Sequence, residues 1–321
     1  MYYLPLILLF TISLTAAQRV VVAELFTATW CGYCPYAARA LVRLKSEVGD
    51  SLTIIAYHSS GSDPFYNVDA SGRASFYHLG GYPTCWWDGV GSVVGGSPST
   101  YNQYRQWFNG RKRRQPFVEI TIVGDYNPQT GEGWATARIK NIMDTTITGM
   151  CHFVIVQRDT PYYWQGEDSL HWIERKMLPN YNGTSVTIAP NETKEISQSF
   201  SIPSSWLRDK CYLTVFVQSI GTAREILQAA EEDLVNLGVD ENKESAVEVG
   251  LISTILHDQL VIRSGQSRIE VTIVDGLGRI QKRLNIAGGD AEISLRSLPS
   301  GIYFCRIRSG KDYQLTKFIK L

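Results

Sequence analysis

Cys31 and Cys34 stand three positions apart, between an apolar run containing Glu24-Leu-Phe-Thr27 and a helical pattern over Tyr36–Val48. A strand ending in a turn throws Cys31 to the surface. A helix starting there points free N–H groups and the positive end of its dipole at the sulfur, and both favour thiolate, the reactive form. One helical turn brings Cys34 back within bonding reach. The spacing therefore predicts a reversible dithiol in which Cys31 is the nucleophile and Cys34 resolves the mixed disulfide. Trp30 would shield the sulfur, and the intervening Gly32-Tyr33 pair would tune its poise.

Further along, Gly80-Gly81-Tyr82-Pro83-Thr84 precedes the apolar run Cys85-Trp86-Trp87. Between the two motifs lie a strand (Leu52–Tyr57) and a second helix (Val68–His78); a third helix (Ser99–Arg111) follows. The order βαβαββα means parallel strands joined by helices, closed by a hairpin. The dithiol, the Tyr-Pro-Thr triplet and this order together resemble the thioredoxin fold, here over residues 18–114. The resemblance implies a cis bond before Pro83 and docking of a client chain by Pro83 and Tyr82, with Trp30 and Tyr33 at the rim. Gly-Tyr between the cysteines is also the pair of Dsb-type periplasmic disulfide isomerases. One position departs from the pattern. Thioredoxins bury an acid six residues before the nucleophile, where this chain has Leu25; strand alternation turns the neighbouring Glu24 to the opposite face. His58, ending the second strand, is then the candidate acid/base, with a loop-capping histidine as the plainer alternative.

After Pro116 the pattern changes to period two. Phe117–Val123, Trp134–Ile139, Cys151–Val156, Thr184–Ile188, Thr193–Phe200 and Tyr212–Val217 read as strands, and turn residues separate them. Such spacing predicts an immunoglobulin-like β-sandwich over 115–230. Glu167–Leu178 reads as a helix or loop between strands, Glu225–Ala230 as a last edge strand, and 231–249 as an acidic linker. Cys151 and Cys211 each open a strand within this region, making them a candidate structural disulfide. Cys85 and Cys305 read as buried apolar residues. Asn182-Gly-Thr and Asn191-Glu-Thr match the glycosylation pattern, which often arises by chance.

Residues 250–321 are again all-β. Their Asp275-Gly-Leu-Gly278, Leu298-Pro-Ser-Gly-Ile-Tyr303 and closing Lys317-Phe-Ile-Lys320 resemble the type A C-terminal sorting domain of type IX (Por) secretion cargo, although the usual Pro-Asn-Pro entry is absent. The resemblance implies passage across an outer membrane by the type IX machinery. The first two regions together, through Glu24–Thr27, Cys34-Pro35, His58, Arg175–Pro179, Val217–Ser219 and Glu225–Gln228, are similar to an outer-membrane-protein family with a thioredoxin-like N-terminal part.

The expected architecture is thus multidomain: an α/β thioredoxin fold, an immunoglobulin-like sandwich and a small C-terminal β-sandwich. Residues 1–17, apolar and then small, read as a signal peptide cleaved after Ala17. With Lys+Arg 31 and Asp+Glu 31, net charge is zero and gives no electrostatic case for a nucleic-acid partner. The basic run Arg111–Arg114 reads as a helix terminus matched to its dipole and a solvated linker. Neither a cofactor nor a metal is expected, since a single CxxC with His58 falls short of the four ligands that structural zinc takes. The expected function is thiol–disulfide exchange on extracytoplasmic proteins, at the outer membrane or cell surface, in the medium or in the periplasm. Its partners would be client proteins with thiols or disulfides, an unidentified redox partner and the secretion machinery. The alternative is a surface binding or scaffold protein whose dithiol is structural.

Overall fold

The computed structural model describes residues 17–237, 255–256, 259–262, 269–275, 279–286, 291–309 and 312–321. The expected signal peptide, up to residue 16, and most of the expected linker lie outside the described residues, as do Gly276–Gly278 of the Asp-Gly-Leu-Gly motif. The chain divides into two compact units after Val239. Among the described residues strands outnumber helices and lie in several sheets, so β structure dominates.

The first unit opens with β1 (Val21–Thr27), α1 (Cys34–Val48), β2 (Leu52–His58), α2 (Val68–Phe76), β3 (Thr84–Trp87), β4 (Gly91–Val94) and α3 (Thr100–Lys112). β1 and β2 run parallel, from Val21 opposite Leu52 to Thr27 opposite His58. β3 runs antiparallel to β1 and hairpins into β4. Every residue of β1 and β2 is buried, so both strands are mostly apolar, as strands covered on two faces are, with Glu24, Thr27, Thr53 and His58 as the buried polar exceptions. Val21, Ala23 and Leu25 pack with Leu41 and Leu44 of α1 and Tyr104 and Phe108 of α3. Val22 and Phe26 face the other way, towards Ala70 of α2, Tyr57 and Tyr77. Pro35 occupies the first turn of α1, where a missing N–H costs nothing. Asn67 caps α2 by accepting from the Ala70 N–H.

The chain continues through β5 (Val118–Tyr126), β6 (Glu132–Asn141), β7 (Ile147–Gln157), β8 (Thr160–Trp164), β9 (Glu167–Leu170), β10 (Ile173–Leu178), β11 (Thr184–Ile188), β12 (Thr193–Ser201), β13 (Cys211–Ser219) and β14 (Ile226–Asp233). The main sheet has the order β14-β13-β7-β10-β2-β1-β3-β4, with β11 also on β7; a second sheet has the order β12-β6-β5. Ala137 and Ile139 of β6, Phe153 and Ile155 of β7 and Leu213 and Val215 of β13 share one apolar core, so the small sheet lies over the β7–β13 end of the large one.

Several expectations need correction. Residues 18–114 and 115–230 were expected to be separate, yet they form one unit, because β10 pairs with β2 on one side and β7 on the other. Glu167–Leu178 is neither helix nor loop but two strands, β9 and β10. A register shift between Glu174 and Lys176 breaks the period-two pattern there and hides β10 in the sequence. The first residues of the expected linker belong to β14, where Glu231 accepts from Arg158 Nη2 at 2.6 Å. Arg111 is largely buried: its Nε donates to Asp88 Oδ2 at 2.8 Å, and Asp88 also receives Arg19 Nη2 at 2.6 Å and the Val22 N–H at 2.8 Å. The cysteines of the proposed structural disulfide are both free and buried. Cys151 pairs with Val217 and Cys211 with Gln157 across the same two strands. At about 3.3 Å per residue they stand about 20 Å apart, well past the roughly 7 Å that a disulfide can bridge. Burial pushes both thiols up to about 12.

The second unit holds β15 (Ile255–Leu256), β16 (Gln259–Ile262), β17 (Ile269–Asp275), β18 (Ile280–Ile286), β19 (Ala291–Ser294), β20 (Gly301–Ser309) and β21 (Asp312–Lys320). A five-stranded sheet, β15-β21-β20-β17-β18, accompanies the pair β16-β19. Tyr303 lies opposite Phe318, stacks on it at 5.6 Å and donates to the Pro299 carbonyl at 2.9 Å. Leu298, Tyr303, Cys305 and Phe318 all lie in its core, which is what the Leu-Pro-Ser-Gly-Ile-Tyr and Lys-Phe-Ile-Lys patterns encode.

Candidate active site at the dithiol

β1 delivers the chain to a turn in which Cys31 N donates to Ala28 O at 3.1 Å and Cys34 N to Cys31 O at 3.2 Å. Cys31 and Cys34 are joined as a disulfide with Cα atoms 5.4 Å apart. α1 begins at Cys34 rather than at Tyr36. Cys31 therefore lies just ahead of the helix N-terminus and Cys34 in its first turn. Cys34 is fully buried and Cys31 keeps 6% of its surface exposed, so any attack from outside meets Cys31 first.

The Tyr82–Pro83 bond is cis. β3 pairs Thr84 with Phe26, which carries Pro83 and Tyr82 towards the end of β1 that leads to the dithiol. Trp30 meets the Tyr82 ring edge-on at 5.8 Å, and the Tyr82 hydroxyl lies 2.9 Å from Ser59 Oγ. Trp30 is 52% and Tyr33 67% exposed, so together with Tyr82 they make an aromatic rim beside Cys31. Pro83 O accepts from the Gly95 N–H at 2.7 Å. At Gly96 a Cβ would stand 2.2 Å from the Tyr33 carbonyl oxygen, so only glycine lets the segment after β4 approach the motif this closely.

His58 is buried at the end of β2, with Nδ1 3.1 Å from Asp63 Oδ1. Asp63 Oδ2 accepts from the Thr29 N–H at 2.6 Å and Oδ1 from the Phe65 N–H at 2.9 Å. Burial pushes the Asp63 carboxyl up, but His58 and these two amides outweigh it and hold it below its ordinary value. His58 thus braces, through Asp63, the turn that enters the dithiol. Its partner is the carboxylate, not a sulfur. Glu24 lies on the α2 face, as alternation requires, accepting from Arg73 and the Tyr77 hydroxyl.

Residues that the sequence patterns did not single out complete the site. Cys31, Cys34 and Ala28 share a buried cluster with Trp164, Leu170 and Ile173, with Phe65 and Tyr162 packed against it. Trp164 and Leu170 belong to the β8–β9 hairpin, whose only sequence mark is Gln165-Gly166 following three aromatics. Among the described residues no group of three or more His, Cys, Asp or Glu is placed to hold a metal. Cys85 is buried in the sheet opposite Leu25, and burial raises its thiol well above the ordinary range.

The secretion system C-terminal sorting domain model matches residues 256–321. This segment is a type IX sorting domain. It supports export to the cell surface or secretion, and it implies an interaction with the type IX machinery. No helix among the described residues is long and apolar enough to cross a membrane. No curated protein matches the chain. Solved structures similar to it include a structural-genomics protein of Agrobacterium tumefaciens, at 16% identity over 71% of this chain and 99% of that one, with a TM-score of 0.43. Red sea bream transglutaminase aligns at 11% identity over 70% of this chain and 34% of that one, with a TM-score of 0.24. Scores this low transfer neither fold nor function.

Proposed function

We propose that residues 21–112 are a thioredoxin-like module, set against an immunoglobulin-like sandwich, and that the protein is an exported thiol–disulfide oxidoreductase. One observation carries the reading: a Cys31–Cys34 disulfide at the start of a helix, with Tyr82 and Pro83 at the neighbouring strand end and the residual exposure on Cys31. From the disulfide state, a client thiolate attacks Cys31 Sγ. The client–Cys31 bond forms, the Cys31–Cys34 bond breaks, and Cys34 leaves as a thiolate that takes up a proton. A second client thiolate then attacks its own sulfur in the mixed disulfide and expels Cys31. Client dithiol and protein disulfide become client disulfide and protein dithiol, and the same steps reversed reduce a client. Trp30, Tyr33, Tyr82 and Pro83 would hold the client chain beside Cys31. Leu25 occupies the usual place of a buried acid, so the proton for Cys34 comes from elsewhere.

A second reading has its own support. Cys31 is only 6% exposed and packs with Trp164 and Leu170, as a structural disulfide in a binding or scaffold protein would. Insulin reduction and refolding of scrambled ribonuclease by the purified mature protein separate the two. Exchange predicts activity that Cys31→Ser abolishes. Activity indifferent to Cys31, or none, leaves the scaffold reading.

A further inference from the structure

The β8–β9 hairpin forms a two-stranded sheet of its own, without a backbone ladder to either sheet of its unit. Two-stranded hairpins are marginal alone, so contacts elsewhere must hold it. Its tight turn uses Gln165 (φ 46) and Gly166 (φ 85), the left-handed pair that a two-residue connection demands. The chain enters through Asp159 (φ 46) and leaves through Trp172 (φ 54), both in the left-handed region, and His171 Nδ1 meets Asp159 Oδ1 at 2.7 Å across the base.

What holds the hairpin down is the dithiol cluster. Trp164 is 5% and Leu170 2% exposed, both against Cys31 and Cys34. The Tyr162 ring meets Phe65 edge-on at 5.0 Å. At the tip, Glu167 forms an exposed ion pair with Arg39 of α1. A Cβ at Gly32, between the two cysteines, would lie 3.9 Å from Gln165 Oε1, so the tip overhangs the motif itself. These are side-chain contacts alone, and lifting the hairpin breaks no strand pairing with the rest of the fold.

We propose that the β8–β9 hairpin is a selectivity gate over the dithiol, admitting small disulfides and extended chain segments to Cys31 and excluding folded protein surfaces. The inference rests on the exchange reading of Cys31. The approach left to a client runs past the exposed Trp30 and Tyr33 and past Tyr82. A folded surface would collide with the hairpin, and Trp164 would have to leave its pocket first.

Alkylation reads access without turnover. In a reduced Cys34→Ser background, Cys85, Cys151, Cys211 and Cys305 are buried, leaving Cys31 as the reactive thiol. Iodoacetamide should outpace a polymer-bearing iodoacetamide by more than it does on free cysteine. Trp164→Ala should narrow that excess roughly tenfold, equivalent to about 1.4 kcal/mol of opening free energy. Glu167→Arg, an exposed change that sets two like charges together, should narrow it in the same direction and serves if Trp164→Ala does not fold. An excess absent from the parent, or unchanged in the folded variants, overturns the gate. Insulin reduction by the same hairpin variants with Cys34 restored separates the two claims: a narrowed excess with no exchange in any form supports the gate and sinks the exchange reading, whereas exchange with no excess sinks the gate alone.

Discussion

Arg73 is fully buried on α2, and its guanidinium donates to Glu24 Oε1 through Nε at 3.1 Å and Nη2 at 2.6 Å and to Gln218 Oε1 through Nη1 at 2.9 Å. Removing one partner of a buried pair leaves the other charged and unsolvated. Arg73→Ala should therefore cost about 3–5 kcal/mol, read as a lower midpoint in urea unfolding. Glu174 offers a test with a pH sign. Burial pushes its carboxyl up to about 8, although Asn67 Nδ2 donates to Oε2 at 2.8 Å, and Oε1 has no hydrogen-bond partner. Its folded value lies above the unfolded one of 4.5, so its contribution is complete below that pH and is lost as the pH rises to about 8. Melting temperature should fall across this window in the parent and fall less in Glu174→Gln; identical profiles would contradict the assignment. At this scale the sequence was informative where chain geometry decides. Alternation correctly sends Glu24 away from the dithiol face. It fails for Cys151 and Cys211, because a shared domain and similar strand positions say nothing about which ends of two antiparallel strands coincide.

Among elements, β10 matters most, because it places Ile173 beside Ala56 of β2 and Ile173, Glu174 and Lys176–Leu178 along β7. A fragment ending at residue 114 would expose the β2 edge and the faces of Phe26, Tyr57 and Ala70 that β7, β10 and β13 cover. It should aggregate or fail to fold, whereas residues 18–237 should unfold in one cooperative calorimetric transition. A soluble, cooperatively folding 18–114 would contradict this. β1, β2 and the three helices were legible because helical periodicity and short, mostly apolar runs are local signals. β10 was not. Its bulge at Arg175 breaks the alternation, and its burial comes from strands more than a hundred residues earlier and some twenty before it. The β8–β9 cover on the dithiol was hidden for the same reason, since no local pattern says where a detached hairpin will land.

For the molecule as a whole, the sorting segment was the most legible part. Its apolar pattern encodes its own small core, in which Leu298, Tyr303 and Phe318 meet. A chain lacking residues 256–321 should accumulate inside the outer membrane, read by immunoblotting of cell fractions and medium; unaltered export would show that the segment is dispensable. Export places the dithiol outside the reducing interior, where redox poise decides between exchange and a structural bond. The most direct measurement is therefore equilibration of the Cys31–Cys34 couple of the mature protein against glutathione buffers. Exchange predicts a potential above about −300 mV, within the span of disulfide-handling proteins. A couple below about −300 mV, in the range typical of structural disulfides, would contradict it.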